Sequence, residues 1–314
     1  MLKKLRRGNA GDTIFQIIVF LFGVSVLALI VGIVFQLWIQ SGQIREEYGF
    51  FRSLTNAVYN PNAGEFGALP FIYGTLVTAF NAIILAGPIG LGIAAFLVEI
   101  APRSVNRVVG FLVEMLAAIP SIVYGLWGFF VLAPFMSNTV VPLIQGSPLG
   151  LLPIFQGNFV PATVFTASIV LAIMILPTVA AISRDVIRAV PDAQREAMLA
   201  LGATRWEMFS RAVLPYAKSG VLGALILGLG RAAGETMAVT FIIGNRPEIF
   251  TSFFSQGATI ASQIAAQFPE AGGLTLSFLI QIGLVLFIIT IIINVGARGL
   301  VALLMRGPEG GMRS

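Results

Sequence analysis

Six long stretches of apolar residues, separated by shorter and more polar segments, dominate the chain. Each stretch reaches the roughly 20 residues that an α-helix needs to cross the hydrocarbon core of a bilayer. We therefore predict an all-α integral membrane protein with six transmembrane helices. The predicted spans are 14–39, 72–98, 108–135, 162–182, 221–243 and 274–295.

The composition excludes several classes of protein. Of the 314 residues, 57% are hydrophobic and only 11% are charged, whereas soluble domains carry about 25% charged residues. The chain contains neither Cys nor His, which excludes disulfides, Cys/His metal sites and a Ser-His-Asp triad. No G-x-x-x-x-G-K motif is present. We therefore expect no catalytic residue, no bound metal and no ATP hydrolysis by the chain itself.

The distribution of Lys and Arg predicts the orientation of the helices, because cytoplasmic loops are enriched in these residues. With both termini in the cytoplasm, 15 of the 19 Lys and Arg residues lie in cytoplasmic segments and three in external segments, while Arg231 lies inside a span. The net charge of +5 follows from this bias and indicates no nucleic-acid partner. The first span is longer than a signal-peptide core and no A-x-A site follows it, so we expect a retained anchor.

The connecting segments differ in character. Segments 40–70 and 244–273 are predicted to be external. Segment 134–160 has no charge but contains four prolines, so we predict an irregular external segment that packs on the helix bundle. In the second span, Pro88 and three glycines at 86–92 predict a bend, which serves either helix packing or a wall of a transport path.

The longest predicted cytoplasmic loop, 183–216, predicts two short helices. Pro191 suits the start of the first helix, and Gly202 suits its end. Residues 204–207 form a capping box that begins the second helix, which we expect to end before Pro215. One face of the first helix is small or apolar: Ala193, Ala197, Ala200 and Leu201. The loop is either a plain connection or a docking element for another protein.

Residues 196–203 (EAMLALGA), followed by Leu-Pro at 214–215, resemble the EAA loop of ABC importer permeases, with Met198 where that pattern has Ala. Two further stretches, 114–125 (EMLAAIPSIVYG) and 230–239 (GRAAGETMAV), resemble the phosphate-specific importer permeases. The second continues G-E-T with Met-Ala-Val, which is more similar to the PstC-type subunit than to the PstA-type subunit. The resemblance covers roughly residues 70–300 and the N-terminal anchor.

The resemblance implies the type I importer permease fold and a domain organisation. An N-terminal anchor and first external segment would occupy 1–70, and the permease domain 71–301. The coupling loop would occupy 191–215, and a cytoplasmic tail 302–314. The residues implied to dock the ATPase subunit are Glu196, Ala197, Ala200, Gly202 and Ala203.

The same resemblance implies that the chain is a transport subunit, not an enzyme, of an ATP-driven importer of inorganic phosphate in the cytoplasmic (inner) membrane. Its implied partners are a second, homologous permease in a heterodimer, two ATP-binding subunits, an external phosphate-binding protein and the lipid bilayer. The chain itself would bind no cofactor, since ATP and Mg²⁺ would be used by the partner ATPase.

Arg231 is the charged residue that the chemistry of a membrane singles out. A charge at the centre of a span costs about 2.5–3.5 kcal/mol on insertion scales and needs a partner or water. Glu235 follows by four residues, so a continuous helix would place both on one face. Since an arginine fork suits phosphate oxygens, we predict Arg231, Glu235 and Glu114 along the substrate path. The alternatives are an internal Arg231–Glu235 ion pair that fixes packing, Glu114 as another partner of Arg231, and a satisfied buried carboxylate at Glu114.

Three other functions remain open on the sequence. The chain could be an importer permease for another anion. It could also be a secondary anion transporter or channel without an ATPase, against which the EAA loop argues. The third is an intramembrane enzyme that uses Glu114 and Glu235 as acid and base. The spans offer no His, Cys or Asp for such a site.

Overall fold

The computed structural model describes residues 10–305. The basic residues at 3–7 and most of the tail predicted at 302–314 lie outside the described residues. The helices are α1 (Ala10–Gln40), α2 (Gly42–Tyr48), α3 (Phe50–Thr55), α4 (Leu69–Ala95), α5 (Arg103–Ala117), α6 (Ser121–Trp127), α7 (Ala133–Phe135), α8 (Val141–Gln145), α9 (Val164–Arg188), α10 (Asp192–Ala200), α11 (Arg205–Met208), α12 (Leu214–Gly234), α13 (Met237–Ile242), α14 (Ile260–Gln267) and α15 (Gly273–Met305). Strands β1 (Tyr59–Asn60) and β2 (Glu65–Phe66) pair antiparallel, with Tyr59 opposite Phe66.

Within residues 10–305, six helical stretches are long and apolar enough to cross a membrane, which confirms the prediction of an all-α, six-span protein. They are Gly11–Gln40, Leu69–Ile100, Ser121–Gln145, Val164–Arg188, Arg205–Gly234 and Gly273–Gly299. The third and fifth stretches differ most in their bounds from the predicted spans. The first differs in its surroundings. In the first, none of the residues in the most apolar window is buried, and α1 packs chiefly on α15.

Helix α9 lies at the centre of the bundle, between α4 and α12. Val179 of α9 fits between two glycines, Gly90 of α4 and Gly228 of α12. A Cβ atom at either glycine would lie 2.9 Å from a Val179 methyl carbon. Small residues let membrane helices approach closely where lipid offers no hydrophobic drive to association. The glycines therefore set the spacing of the three central helices.

The second span is not interrupted, because α4 is helical from Leu69 to Ala95 through Pro88. The bend stays a prediction, and Pro88 lies on an exposed face of the helix. Gly87 and Gly90 serve packing, against Leu225 and Val179 respectively.

The predicted bounds of the third span are also wrong. The segment 108–135 is divided at Pro120, which is the N-cap of α6, and the candidate span is Ser121–Gln145. A proline lacks the N–H that would continue the preceding helix, and it disfavours helical backbone at the residue before it. Helix α5 is thus a separate amphipathic element that precedes the span.

Four π-helical turns each precede a proline by the same spacing. They end at Ile100, Leu132, Val140 and Val213. The next residue donates its N–H to the carbonyl five residues earlier, as Leu214 does to Phe209, and the residue after that is a proline. The wider turn accommodates the ring that would clash in an α-helix. Helical structure therefore continues past Pro134, Pro142 and Pro215.

This continuation corrects two predictions. Segment 134–160 is helical as far as Gln145, and only its remainder is made of short 3₁₀ turns and irregular backbone. The second helix of the 183–216 loop does not end before Pro215, because Arg205–Gly234 forms one stretch of helix through a π turn at Phe209–Val213.

A compact cap, defined here as residues 41–68, covers one end of the bundle. Its buried side chains join Phe71 and Phe278 in a shared apolar cluster. Gln281 of α15 donates from Nε2 to the Ser53 hydroxyl at 2.7 Å, and the Ile44 N–H donates to Ser277 Oγ at 3.1 Å. Helix α4 begins at this cap end, and its other end leads to the hairpin formed by α10 and α11, so the two features lie at opposite ends of the bundle.

Candidate functional site

Arg231 lies near the end of α12, inside the candidate span Arg205–Gly234. Its Nη1 donates a hydrogen bond to Thr178 Oγ1 of α9 at 2.9 Å, and the residue is exposed on the surface of the subunit. An exposed guanidinium at such a position requires water or a second protein chain beside it. Thr178 fixes the direction of the side chain from the neighbouring helix.

The predicted Arg231–Glu235 pair is wrong, since no ion pair joins these two residues in the described part of the chain. Helix α12 ends at Gly234, and Glu235 has extended backbone, with φ −67° and ψ 127°. The four-residue spacing therefore does not place both side chains on one helical face. The Glu235 carboxylate instead accepts the Ala238 N–H at 3.4 Å, at the start of α13.

Glu114 is not a partner of Arg231 either. It lies on α5, and its Oε1 is 3.4 Å from Nη2 of Arg184 near the end of α9. The Glu114 side chain is 61% exposed and that of Arg184 is 16% exposed. The alternative of a buried carboxylate at Glu114 is therefore wrong, and the residue is an exposed member of an ion pair.

Two interruptions of helical backbone come together close to Arg231. One precedes α6 at Pro120, and the other separates α12 from α13 at 235–236. The two short helices touch, because a Cβ on Gly125 would lie 2.9 Å from the Cα of Ala238. Irregular backbone at membrane depth requires cover by protein or a water-filled cavity. The two helix interruptions and the charge of Arg231 thus favour a water-filled path along the face that carries Arg231.

Tyr124 and Thr178 belong to this site and were missed at the level of sequence. The Tyr124 hydroxyl donates to the Leu116 carbonyl at 2.8 Å, across the interruption before α6. Tyr124 precedes Gly125, the glycine at which α6 approaches Ala238 of α13. The proline of the Ile119-Pro120 pair was the available signal for the interruption. Nothing in one sequence pairs Thr178 with Arg231, which are 53 positions apart.

The two-helix loop has the predicted form at its turn. Gly202 has φ +83°, a backbone conformation in which glycine meets no Cβ penalty. Its N–H donates to the Leu199 carbonyl at 3.0 Å and that of Ala203 to Met198 at 3.2 Å, which closes α10. Thr204 and Glu207 form the capping box that begins α11. These predictions of local structure are confirmed.

The loop presents an uncovered surface away from the bundle. Of the residues predicted to dock a partner, Glu196, Ala197, Ala200 and Gly202 are exposed, and Ala203 is half-buried. Leu201 is 85% and Trp206 73% exposed beside them. Large apolar side chains exposed together on a rigid element mark an interaction surface. We call residues 191–215 the docking hairpin.

The chain matches one protein family along most of its length. The family model described as "Binding-protein-dependent transport system inner membrane component" matches residues 86–307. The chain is 45% identical over 299 residues to the phosphate transport system permease protein PstC of Mesorhizobium japonicum, covering 94% of this chain and 91% of that protein. It is 46% identical to PstC of Pasteurella multocida, covering 87% and 86% respectively.

Solved structures show the same fold at low sequence identity. A bacterial ABC transporter involved in the import of alginate aligns with a TM-score of 0.60 at 14% identity, covering 91% of this chain and 96% of that chain. The MetNI methionine ABC transporter in an inward-facing conformation aligns with a TM-score of 0.58 at 18% identity, covering 79% and 100%. Taken with the match over residues 86–307, the chain belongs to the binding-protein-dependent transport system inner membrane components, the membrane-embedded subunits of ABC importers.

Proposed function

We propose that the chain is the PstC-type permease subunit of an ATP-driven importer that carries inorganic phosphate across the cytoplasmic membrane. The observation that carries this proposal is the similarity to PstC proteins along nearly the whole chain. The site adds a physical reason, since Arg231 offers a permanently charged, planar fork to the oxygens of an anion. The docking hairpin adds a surface on which an ATPase can act.

The proposed assembly pairs this subunit with a second, homologous permease, so that the exposed face around Arg231 lines a shared path. Two ATP-binding subunits supply the energy, and ATP and Mg²⁺ bind there, while this chain holds no cofactor. An external phosphate-binding protein delivers the anion. The bias of Lys and Arg supports this orientation, with the docking hairpin in the cytoplasm and the cap outside.

Within the path, Arg231 binds phosphate in transit and Thr178 orients it. Glu235 lies at the interruption after α12, where its negative charge lowers the affinity of the path for anions. A path must bind weakly enough for the ion to leave. Glu114 of α5, paired with Arg184 of α9, lies on the side toward the docking hairpin and marks the cytoplasmic part of the path.

Uptake by the purified four-part complex in lipid vesicles tests the function. We expect phosphate to accumulate only when both ATP and the binding protein are present, and a tenfold excess of sulfate to leave the rate unchanged. Uptake that proceeds without ATP would instead indicate a secondary transporter. Preferential uptake of a different anion would retain the ABC permease and reject phosphate as its substrate.

Variants of Arg231 test its place in the path. Arg231→Lys keeps the charge but loses the fork, so uptake should fall several-fold, and Arg231→Gln should abolish it. ATP hydrolysis stimulated by the binding protein should change less. The double change Arg231→Gln with Glu235→Gln should not recover uptake, because Glu235 bonds to Ala238 instead. Substantial recovery would assign Arg231 to an internal charge balance rather than to phosphate.

A further inference from the structure

Arg195 of α10, within the docking hairpin, turns toward the bundle, and its side chain is only 14% exposed. Its Nη2 donates to the Ile187 carbonyl at 2.8 Å, and its Nη1 donates to the Val190 carbonyl and to Asp192 Oδ1 at 3.2 Å. The two carbonyls belong to the last turn of α9 and the residues after it, where helical carbonyls lack partners. A cation at this position also suits the dipole of α9. Arg195 thus joins the hairpin to the end of the central helix.

Glu99 supplies the opposite charge from the end of α4. Its side chain is 11% exposed, and its Oε1 accepts from Nε and Nη2 of Arg195 at 3.2 and 3.1 Å. The second arm of the hairpin reaches the same residue, since Arg205 Nη1 donates to the Glu99 carbonyl at 3.2 Å. One residue of the π turn that follows α4 therefore receives both arms of the hairpin.

Apolar packing encloses this contact. A buried cluster unites α4, α9, the hairpin and the start of α12: Ala94, Ile187, Val190, Met208, Phe209, Val213, Ala217 and Val221. The exposed face of the hairpin, with Leu201 and Trp206, points away from it. A displacement of that exposed face is therefore transmitted through the packed cluster and the ion pair to α4 and α9. These helices carry Gly90, Val179 and Thr178, which adjoin the site of Arg231.

We propose that Arg195 and Glu99 are positioning residues that lock the docking hairpin to α4 and α9, so that movement of the ATPase partner is converted into movement of the spans. The proposal rests on the proposed function of the hairpin. Association with the ATPase uses the exposed face, whereas coupling uses the buried pair. Breaking the pair should therefore separate hydrolysis from transport without detaching the ATPase.

Glu99→Gln tests this, because the amide keeps the shape of the side chain and loses its charge. Asp192→Asn is the matched control, since it makes the same change in an 87% exposed carboxylate on the same guanidinium. In vesicles holding the full complex, phosphate imported per ATP hydrolysed should fall at least threefold in Glu99→Gln and stay unchanged in Asp192→Asn. An unchanged ratio in Glu99→Gln, or loss of the ATPase from its complex, overturns the proposal.

A covalent replacement of the pair gives a second test. The chain contains no Cys, so Glu99→Cys with Arg195→Cys introduces its only two thiols. A short bifunctional thiol reagent should raise the ratio of imported phosphate to hydrolysed ATP back toward that of the unmodified complex. Without the reagent, the same ratio should stay low in the double variant. A cross-linked complex that remains as poor as the untreated one overturns a mechanical role.

Hydrogen exchange of the purified subunit alone separates this proposal from the proposed function, since it needs neither phosphate nor ATP. Amides of α10 should exchange faster in Glu99→Gln than in Asp192→Asn, while those of α14 at the cap end stay unchanged. Equal exchange of α10 in the two variants contradicts the lock itself. A different outcome is faster exchange of α10 in Glu99→Gln combined with no phosphate uptake by the unmodified complex. It would support the Arg195–Glu99 contact and reject phosphate as the substrate.

Discussion

The two ends of the bundle are attached to the same long helices by different chemistry. At the hairpin end, the Arg195–Glu99 ion pair adds a charged contact to the apolar cluster that joins the hairpin to α4 and α9. At the cap end, the side-chain bonds to α15 are neutral, such as that from Gln281 to Ser53, and an aromatic cluster fills the interface. Within it, Tyr59 stacks on Phe278 with ring centroids 5.2 Å apart. Apolar packing is common to both ends, and the hairpin end differs by its ion pair.

This difference predicts how each end fails. Removing one partner of a buried ion pair leaves the other charge without compensation, which costs about 3–5 kcal/mol. Removing one neutral hydrogen bond costs about 1 kcal/mol. The hairpin end is therefore sensitive to single changes, while the cap end tolerates them unless the backbone itself is displaced.

The largest effect is expected from Arg195→Met at the hairpin end. The change leaves the Glu99 carboxylate, 11% exposed, without its cation and should destabilise the subunit by about 3 kcal/mol, measured by thermal unfolding in detergent. Arg211→Met is the control, because Arg211 is 72% exposed and 4.0 Å from its partner Glu207. A loss below about 1 kcal/mol in Arg195→Met would show that the pair is dispensable.

Gly74→Ala should do comparable damage at the cap end, through backbone displacement. A Cβ at Gly74 would lie only 2.0 Å from the Ala258 carbonyl oxygen, so α4 must move away from the loop that carries it. Overpacking of this kind costs about 1–3 kcal/mol or more. Gly92→Ala, on the same helix but with nothing within 4 Å of its Cβ, should be neutral in the same unfolding assay. Equal stability of both variants would contradict the close approach.

Gly202→Val sharpens the comparison at the turn of the hairpin. No atom lies within 4 Å of a Cβ there, so the cost arises only from the positive φ and is about 1–2 kcal/mol. We expect normal membrane insertion, loss of the ATPase subunit on co-purification and no phosphate uptake. Gly202→Asn, which tolerates this backbone, should retain the ATPase. Full transport by Gly202→Val would show that docking of the ATPase does not depend on the hairpin turn.

The smallest effect is expected from Gln281→Leu. The residue is fully buried and loses one bond to Ser53, but its Oε1 already has no protein partner. The Ser53 hydroxyl still donates to the Phe50 carbonyl at 2.8 Å. A loss of about 1 kcal/mol in unfolding free energy follows. A loss matching that of Arg195→Met would show that the cap also depends on single contacts.

Features set by local sequence were predictable, and those set by distant contacts were not. The six spans follow from the length of apolar runs, and the hairpin turn follows from Gly202 and the Thr204–Glu207 box. The Arg231–Glu235 pair failed because it assumed helix through Gly234. The Glu99–Arg195 pair joins residues 96 positions apart, and a single sequence carries no signal that brings them together.

Prolines account for most of the errors in the bounds of elements. Pro120 divides a run that its hydrophobicity alone makes continuous. Pro134, Pro142 and Pro215 do the opposite, because a π turn before each keeps the helix intact. A widened turn does not by itself continue a helix, because helical backbone ends before Pro102 although Phe96–Ile100 is also a π turn. Residue type alone does not show which case applies.

The π turns also have a consequence for insertions and deletions. Each one adds a residue to a turn, so every side chain beyond it is rotated by about 100° relative to an uninterrupted α-helix. Deleting one residue from Phe209–Val213 while replacing Pro215 by Ala should restore the register of Val221 and Ala224 against α9. A permease without that proline should therefore align to this chain with a single-residue gap at the base of the hairpin. One residue is thus gained or lost at the π turn, while the side chains beyond it still face α9.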